Sequence, residues 1–382
     1  MKRDAHYYGI LALSRACGFK KESALTLAYA SQYVDDAKIN LIHFQDPDKG
    51  KGSTENQPFG GIIYDVVDDK EVFINMATCH SYFWIKTFNY EAMVSNTCAF
   101  HFVPGCQGEN FTKKLRCKEE SPVILKILNE ALQEDSLIKL GMVLHTYADT
   151  FSHQGFSGML SKVNDIKECE ERSGLYRSLG SNLIHLFKRL GQKRYEELFD
   201  RIVPAYGHGQ ALDFPDLPYL VWSYQYDYSD EFNGCYKEVE IDNKDRYRRA
   251  FTKIRDHLQH FLLLYPQHFD NDVKFADFDQ LMETLVLEAD DNKREEAWLS
   301  FLFDHHLFDK QEKKRIIYKS NQWLKEAFSN YTTERFAGRE VEGALLGKNF
   351  IDSDWYHFYR AVKWYKDRFF SYCSEFEVDI PH

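Results

Sequence analysis

Three polar residues recur at intervals of four in the otherwise apolar stretch IKLGMVLHTYADTFSHQGFSG at 138–158. On an α-helix, His145, Asp149 and His153 lie on one face, with neighbouring Cβ atoms about 5–6 Å apart. Imidazole and carboxylate groups are good ligands for zinc and similar divalent metals. A buried carboxylate without a partner is unfavourable, and a bound metal removes that penalty. The spacing predicts a metal site, the alternative being a core histidine and a capped aspartate.

Further residues with metal-ligand chemistry stand at helix ends and in loops. An acidic pair at 35–36 ends the second predicted helix, where it opposes the helix macrodipole, so a cation nearby would explain it. A solvated helix end is the alternative. The histidine at 208 stands between two glycines, which permit close approach of the backbone to a ligand; an ordinary ordered loop is the alternative. The candidates outside the central stretch are His6, Asp35, Asp36, His80, His208 and Asp216.

These candidates come from several predicted helices and the loops between them. Helical proteins build metal sites in this way, from inward side chains on facing helices. More than four ligands predict two or more ions, which together activate a water and stabilise both oxygens of a phosphoester displacement. An aspartate can bridge two ions and accept a proton from the water, so Asp149 and Asp36 are predicted to be catalytic.

Helical periodicity dominates the rest of the chain, with helices predicted at 243–264, 275–303, 310–328 and 352–376. One β-hairpin is predicted around Asp68 and Asp69. The predicted fold is therefore all-α, a large multi-helix bundle with a small β-hairpin insertion. A helical metal-binding core is expected at 1–235, with a C-terminal helical part, 236–382, packed on it.

The composition limits which substrates and which cellular location are expected for this protein. The net charge of −11 gives no general electrostatic affinity for nucleic acid and argues mildly against a long one. Phospholipid, nucleotide, nucleic acid and small phosphoester stay open as substrates, and a small phosphoester or lipid-like substrate is the expectation. No apolar run reaches the length of a membrane span, and the N-terminus lacks the apolar run of a signal peptide. The eight cysteines form no CxxC pair, which favours reduced thiols and a cytoplasmic location. The oligomeric state has no signature in the sequence.

Several motifs carry a resemblance to known proteins. They are HYYG near the start, YASQYVDD, HFVPG, HTYADTFSHQGFSG, and GHG followed by PDLPYLVW. Over most of the first 230 residues they resemble an uncharacterised bacterial family. More distantly, the early histidine, the aspartate at a helix end and the central HxxxD resemble the zinc-dependent phospholipase C and single-strand nuclease superfamily. In that superfamily a mostly helical domain holds three zinc ions.

The resemblance implies metal roles for a specific set of residues, and the chain also departs from the superfamily pattern. The secreted phospholipases ligate metal through a mature N-terminal tryptophan, whereas this chain begins MKRDAH. Their second HxxxE/D pair has no counterpart here, because the aspartates after GHG stand at other spacings. The implied ligands are His6, Asp35 or Asp36, His80, His145, Asp149, His153 and His208.

Three hypotheses follow from these residues. The first is a metal-dependent hydrolase, most readily a phosphoesterase that uses a metal-activated water. The second is a non-catalytic, metal-stabilised helical binding or scaffold protein. The third is a helical scaffold without metal, whose histidines are core residues. Mixed histidine and carboxylate ligands suit zinc best and also accept iron, manganese or nickel.

Overall fold

The computed structural model describes residues 1–45, 62–79, 90–172, 205–226, 238–273 and 277–380. Within these ranges the α-helices are α1 (Ile10–Cys17), α2 (Lys21–Asp36), α3 (Tyr90–Ala92), α4 (Phe111–Lys114), α5 (Pro122–Leu132), α6 (Leu137–Ser152), α7 (Asn243–Leu264), α8 (Phe278–Leu285), α9 (Asp291–Asp304), α10 (Lys313–Ile316), α11 (Gln322–Ala327) and α12 (Asp354–Glu375). The strands are β1 (Leu41–Gln45), β2 (Asp65–Val67), β3 (Lys70–Ile74), β4 (Ile166–Glu171), β5 (Val221–Tyr226), β6 (Glu238–Asp242) and β7 (Glu340–Leu345). Two π-helical segments are Asp4–Gly9 and Met93–Cys98.

Two β-sheets accompany the helices, so the prediction of an all-α bundle is wrong. In the described ranges one sheet has four strands in the order β2-β3-β1-β7, and the other has three in the order β4-β5-β6. The predicted hairpin is present as the antiparallel pair β2–β3. It is part of a larger sheet, because β3 pairs with β1 and β1 pairs in parallel with β7.

The missed strands are short, and one has its partner far away in the chain. Leu41 of β1 pairs with Glu340 of β7. No local sequence pattern predicts a contact between segments so far apart in the chain. Periodicity cannot separate a strand from a helix in an apolar run of five or six residues. The helices predicted at 243–264 and 352–376 are confirmed as α7 and α12, because they are long enough to show their period.

Helix α6 lies at the centre of the molecule. The Ser136 hydroxyl accepts a hydrogen bond from the backbone N–H of Lys139 at 3.3 Å and caps the helix start. Every residue from Leu140 to Ser152 is buried. The helix packs against α2, α5, α7 and α12, so side chains on any of its faces meet another element rather than solvent.

Gly141 sets how closely α6 approaches α2. A Cβ at this position would collide with the Leu27 carbonyl oxygen and would lie 2.9 Å from the Ala30 Cβ. We expect Gly141→Ala to lower the free energy of unfolding by about 1–3 kcal/mol, because backbone must shift. Urea unfolding measures the change. Gly338→Ala is the control, since its Cβ would meet nothing closer than 3.3 Å. A Gly141→Ala variant as stable as wild type would contradict the close packing.

A second, smaller apolar cluster supports the segment at 205–220. Trp222 of β5 is fully buried in this cluster, and its Nε1 donates to Asn243 Oδ1 at 3.1 Å. The Asn243 amide in turn donates to the carbonyl oxygens of Phe214 and Leu217, each at 2.7 Å. Trp222 of the three-stranded sheet and Asn243 at the start of α7 therefore hold this segment in a defined position.

The division of the chain at 235/236 stays a prediction. Elements beyond it contact the earlier part, since β7 pairs with β1 and α12 packs on α5 and α6. Cysteines in the described ranges are free. No helix described in the structure is both long and apolar enough to cross a lipid bilayer.

Candidate metal centre

The first group of candidate ligands joins the N-terminal π-helical segment to α6. His6 Nε2 lies 3.1 Å from Asp149 Oδ1, and the rings of His6 and His145 stack with centroids 3.8 Å apart. All three side chains are buried. Each offers one atom, and these atoms lie within 4.8 Å of one another. Wide π-helical turns are frequent at functional sites, and here one carries a ligand.

The second group shares His145 with the first. His145 Nε2 lies 3.7 Å from Asp35 Oδ1 at the end of α2. His101, just after the second π-helical segment, places its Nδ1 3.4 Å from the same His145 nitrogen and 3.8 Å from Asp35 Oδ1. Since one imidazole belongs to both groups, these four elements of the chain converge on one place.

The third group lies beyond the end of α6. The helix ends at Ser152, and His153 is its C-cap residue rather than part of its last turn. His153 Nε2 lies 3.0 Å from Asp216 Oδ1, and His208 Nε2 lies 3.4 Å from Asp216 Oδ2. His208 and Asp216 therefore lie beside the end of the central stretch, and their role as metal ligands stays a prediction.

Asp149 links the three groups. Its Oδ2 lies 3.1 Å from His101 Nδ1 and 3.7 Å from His153 Nδ1. The Met1 nitrogen lies 2.7 Å from Asp149 Oδ1 and 3.0 Å from Asp216 Oδ1, between the two carboxylates. The Asp149 carboxylate is therefore surrounded by groups that are positively charged or that could ligate a metal ion.

Three histidines donate one ring N–H to a backbone carbonyl. His101 Nε2 donates to Thr78 O at 3.0 Å, and His153 Nδ1 donates to His101 O at 2.8 Å. His208 Nδ1 donates to Leu212 O at 2.7 Å. A carbonyl can only accept, so these bonds assign the proton in each ring. Metal-ligating histidines are oriented by such outer hydrogen bonds.

The opposite nitrogen of each of these rings faces a carboxylate. His101 Nδ1 faces Asp149 at 3.1 Å, while His153 Nε2 and His208 Nε2 face Asp216. Burial lowers the pKa of His208 to about 4, so its ring is neutral at pH 7. Nε2 of His208 then carries a lone pair, and a lone pair and a carboxylate oxygen repel at contact unless a cation lies between them. Imidazole nitrogens gathered around carboxylates in this way could hold a metal ion.

The protonation states of Asp149 and His6 suit metal binding, whereas a metal ion would have to displace a proton from part of the Asp35 population. Burial opposes ionisation of Asp149, but the charges of His153 and its other neighbours hold the pKa of the carboxyl well below its usual range. Burial, reinforced by His145, holds the pKa of His6 well below its usual value. Burial also raises the pKa of Asp35 to about 7. Ionised Asp149 and neutral His6 are the forms that ligate metal.

Two of the rings are incompletely hydrogen-bonded. Among the residues that the structure describes, Nδ1 of His6 and Nδ1 of His145 have no hydrogen-bond partner, although both are buried. A buried polar atom without a partner is unfavourable by about 1–3 kcal/mol. Histidines that only fill a core would not be expected to gather with unpartnered ring nitrogens. This observation therefore argues against the hypothesis of a helical scaffold without metal.

The structure brings together most of the predicted site residues. Asp36 is in none of the three groups, since its Oδ2 accepts from the Tyr318 hydroxyl at 2.7 Å and from Gln32 Nε2 at 3.3 Å. His80 lies outside the described residues. The predicted residues that do fall in the groups are His6, Asp35, His145, Asp149, His153, His208 and Asp216.

Two groups that contact the other candidate ligands were not predicted from the sequence. His101 was seen only as part of the HFVPG motif in an irregular stretch, and no helical spacing connects it to the other ligands. The Met1 nitrogen is a backbone amine, so no side-chain type in the sequence could indicate it. The HFVPG histidine could have been included on its chemistry, because the motif stood beside the other histidine motifs of the resemblance.

The fold and the site together define a class, a mixed α/β protein with a buried cluster of histidine and aspartate side chains that could hold metal ions. Residues 1–373 match the model of a family of unknown function, DUF6765, and the chain belongs to that family. Neither a search of curated proteins nor a search of solved structures gives a match.

Proposed function

We propose that this protein is a metal-dependent hydrolase of phosphoesters with two or more zinc ions. The observation that carries the proposal is the orientation of His101, His153 and His208. Each donates one ring N–H to a backbone carbonyl and turns the other nitrogen toward a carboxylate. Ring nitrogens held in this orientation beside a carboxylate are suited to ligate a divalent cation, which binds the neutral form of the ring.

The residues divide between two positions for an ion. One position would use His6, Asp35, His101, His145 and Asp149, and the other His153, His208 and Asp216. Imidazole and carboxylate donors fit zinc best, and they also accept iron, manganese or nickel. Asp149 lies between the two positions, so it is the carboxylate suited to bridge them.

Access to solvent favours catalysis over a closed structural site. The Asp35 side chain is 27 % exposed and the Asp216 side chain is 17 % exposed, whereas Asp149 is 2 % exposed. Water can therefore reach one carboxylate of each position. A catalytic metal site keeps a position for water or substrate, while a structural site is closed by protein ligands.

The protein side chains would hold the ions and orient them, and the bound ions would activate the water. Bound divalent ions lower the pKa of water and stabilise developing charge on phosphoester oxygens. The carboxylate of Asp149 would bind the ions at both positions. Asp35 would provide a carboxylate beside them that solvent can reach. The predicted role of Asp36 as a proton acceptor is not part of this proposal, because Tyr318 and Gln32 already donate to its carboxylate.

The substrate class is a small or lipid-like phosphoester. A net charge of −11 disfavours a long polyanion, whereas ions in a pocket reverse the local potential for a single phosphoryl group. The resemblance to the zinc-dependent phospholipase C and single-strand nuclease superfamily belongs to the same proposal, as do the cytoplasmic location and the bacterial context.

The test combines metal analysis with hydrolysis. Protein purified without a histidine tag or chelator is analysed for zinc, iron, manganese and nickel, then assayed with bis(p-nitrophenyl) phosphate, p-nitrophenyl phosphate and a short-chain phospholipid. We expect hydrolysis that disappears on chelation and returns on reloading. Tightly bound metal without hydrolysis of any of these phosphoesters would instead support the metal-stabilised binding or scaffold protein.

Asp216→Asn separates the two positions. We expect this variant to lose part of its metal and retain the rest, because its amide replaces the carboxylate that contacts both His153 and His208. Elemental analysis against wild type measures the change. Asp213→Asn, three residues earlier, is the matched control, since its carboxylate contacts Lys2 and belongs to none of the groups. Complete loss of metal in Asp216→Asn would mean that the positions bind as one.

A further inference from the structure

A lysine is buried close to the metal centre, on the C-terminal helix α12. Lys366 is 4 % exposed. Its Nζ lies 2.8 Å from Asn75 Oδ1, 3.0 Å from Asn75 O, 3.1 Å from Ala77 O and 3.0 Å from Asn96 Oδ1. Within the described ranges it forms no ion pair with a carboxylate. An ammonium buried without a counter-ion is unfavourable, so these oxygens must hold it.

The segment at 75–77 is shaped around this cation. Asn75 has a φ of +57°, a left-handed conformation that is uncommon outside glycine and that asparagine adopts more readily than most residues. In this conformation its carbonyl and its side-chain oxygen both face Lys366. Burial lowers the pKa of Lys366 to about 7. The acceptors act in the opposite direction, because an ammonium donates three hydrogen bonds whereas a neutral amine donates two.

The next residue along the chain orients a candidate ligand. The Thr78 carbonyl accepts the Nε2 proton of His101 at 3.0 Å. Thr78 is itself tied to the end of α2, since its hydroxyl donates to Val34 O at 2.7 Å and its N–H donates to Ala37 O at 2.9 Å. Thr78 directly follows 75–77 in the chain, so a shift of that segment would pull on Thr78 against these two bonds and move the carbonyl that accepts from His101.

Helix α12 also contacts the helical segment that leads to His101. Asn96, one of the four contacts of Lys366, lies in the π-helical segment Met93–Cys98. The neighbouring Tyr365 hydroxyl donates to Ala99 O at 2.7 Å. Adjacent residues of α12 thus contact both segments that meet at the His101 ring.

We propose that Lys366 is a positioning residue for the candidate metal centre, whose Nζ fixes the segment at 75–78 through its hydrogen bonds and thereby the tautomer and orientation of His101. The part concerning metal affinity rests on the proposed function. The part concerning the His101 tautomer does not, because it is a property of the protein without metal. This assigns to the C-terminal helix a role in a site whose candidate ligands, among the residues that the structure describes, come from the first 216 positions.

The experiment compares Lys366→Met and Lys366→Arg with Lys363→Met. Lys363 is the matched control, because it lies one turn earlier on α12 and its Nζ pairs with Asp65 Oδ2 at 2.7 Å, on the surface. The first readout is the ¹⁵N shift of the His101 ring nitrogens in the metal-free protein, assigned with His101→Gln. The second is the dissociation constant for zinc.

We expect wild type and Lys363→Met to show one His101 tautomer with the proton on Nε2. Lys366→Met should show a mixture or the other tautomer, and should bind zinc about 10–100-fold more weakly, the usual effect of losing an outer partner of a ligand. Lys366→Arg should restore part of both, because it keeps the charge. Asn75→Gly removes one acceptor, tolerates the left-handed backbone, and repeats the test in a milder variant.

Unchanged His101 shifts and unchanged zinc affinity in Lys366→Met, with only a lower unfolding midpoint, would overturn the positioning role. A wild-type protein that binds no zinc would end the proposed function instead, and the ¹⁵N comparison would still decide the role of Lys366. Should Lys366→Met not fold, the Lys366→Arg and Asn75→Gly variants carry the same two readouts.

Discussion

We expect the Asp149→Asn variant to lose the metal of both positions and all metal-dependent hydrolysis. Asp149 faces His6 through Oδ1 and faces His101 and His145 through Oδ2, so its charge serves every neighbouring ligand. Loss of an outer partner already weakens metal binding roughly 10–100-fold, and loss of a direct carboxylate ligand should weaken it by more than about 100-fold.

Stability gives a second readout of the same change. A ligand present at about 100 times its dissociation constant stabilises the folded protein by about 2.7 kcal/mol. Added zinc should therefore raise the unfolding midpoint of wild type and leave that of Asp149→Asn unchanged. Elemental analysis and thermal unfolding with and without zinc measure both effects.

The control for this prediction is Asp213→Asn, which makes the same chemical change beside the site. It should keep wild-type metal content and the wild-type response to zinc. Wild-type protein stripped with a chelator is the second control, because it shows the stability of the metal-free fold with the carboxylate intact. Full metal content in Asp149→Asn would refute the centre described here.

Arg294→Met should destabilise the protein by about 3–5 kcal/mol, through a buried ion pair rather than the metal. The guanidinium of Arg294 is fully buried, and its Nε and Nη2 donate to the Asp4 carboxylate at 2.7 and 3.3 Å. Removing the arginine leaves the carboxylate buried without its counter-ion. Asp4 begins the π-helical segment of His6, so the N-terminal ligand should also become less ordered.

Urea unfolding of metal-free protein measures this effect without a contribution from bound ions. The double variant Asp4→Asn/Arg294→Met should recover much of the lost stability, since no uncompensated charge remains. Arg3→Met is the control, because Arg3 is 50 % exposed in its pair with Glu295 and exposed pairs contribute about 0–1 kcal/mol. Equal destabilisation by Arg3→Met and Arg294→Met would contradict the assigned difference in burial.

The helical part of the site could be predicted because its information is local. His145 and Asp149 are one turn apart on any α-helix, and the apolar residues around them indicate burial without reference to other segments. Ser136 is a good cap and begins the helix where the sequence changes from polar to apolar. His153 was predicted to continue this face, yet it follows the last helical residue and reaches Asp216 from the C-cap.

The sheets and the neighbours of the ligands could not be predicted in the same way. β1 and β7 are five and six residues long, too short for a period to identify them. Whether Asp36 or Asp35 enters the site depends on which carboxylate faces α6 and which faces Tyr318, and both occupy the same helix end. Only the packed structure separates two such adjacent residues.

Residue chemistry and helical spacing are enough to predict the types of candidate ligand, the face of α6 that carries them and the acidic end of α2. The packed structure is needed to show that His101 joins them, that β7 pairs with β1, and that Lys366 contacts the segment before Thr78. These contacts join residues tens to hundreds of positions apart, and such contacts form only where packing brings separate elements together.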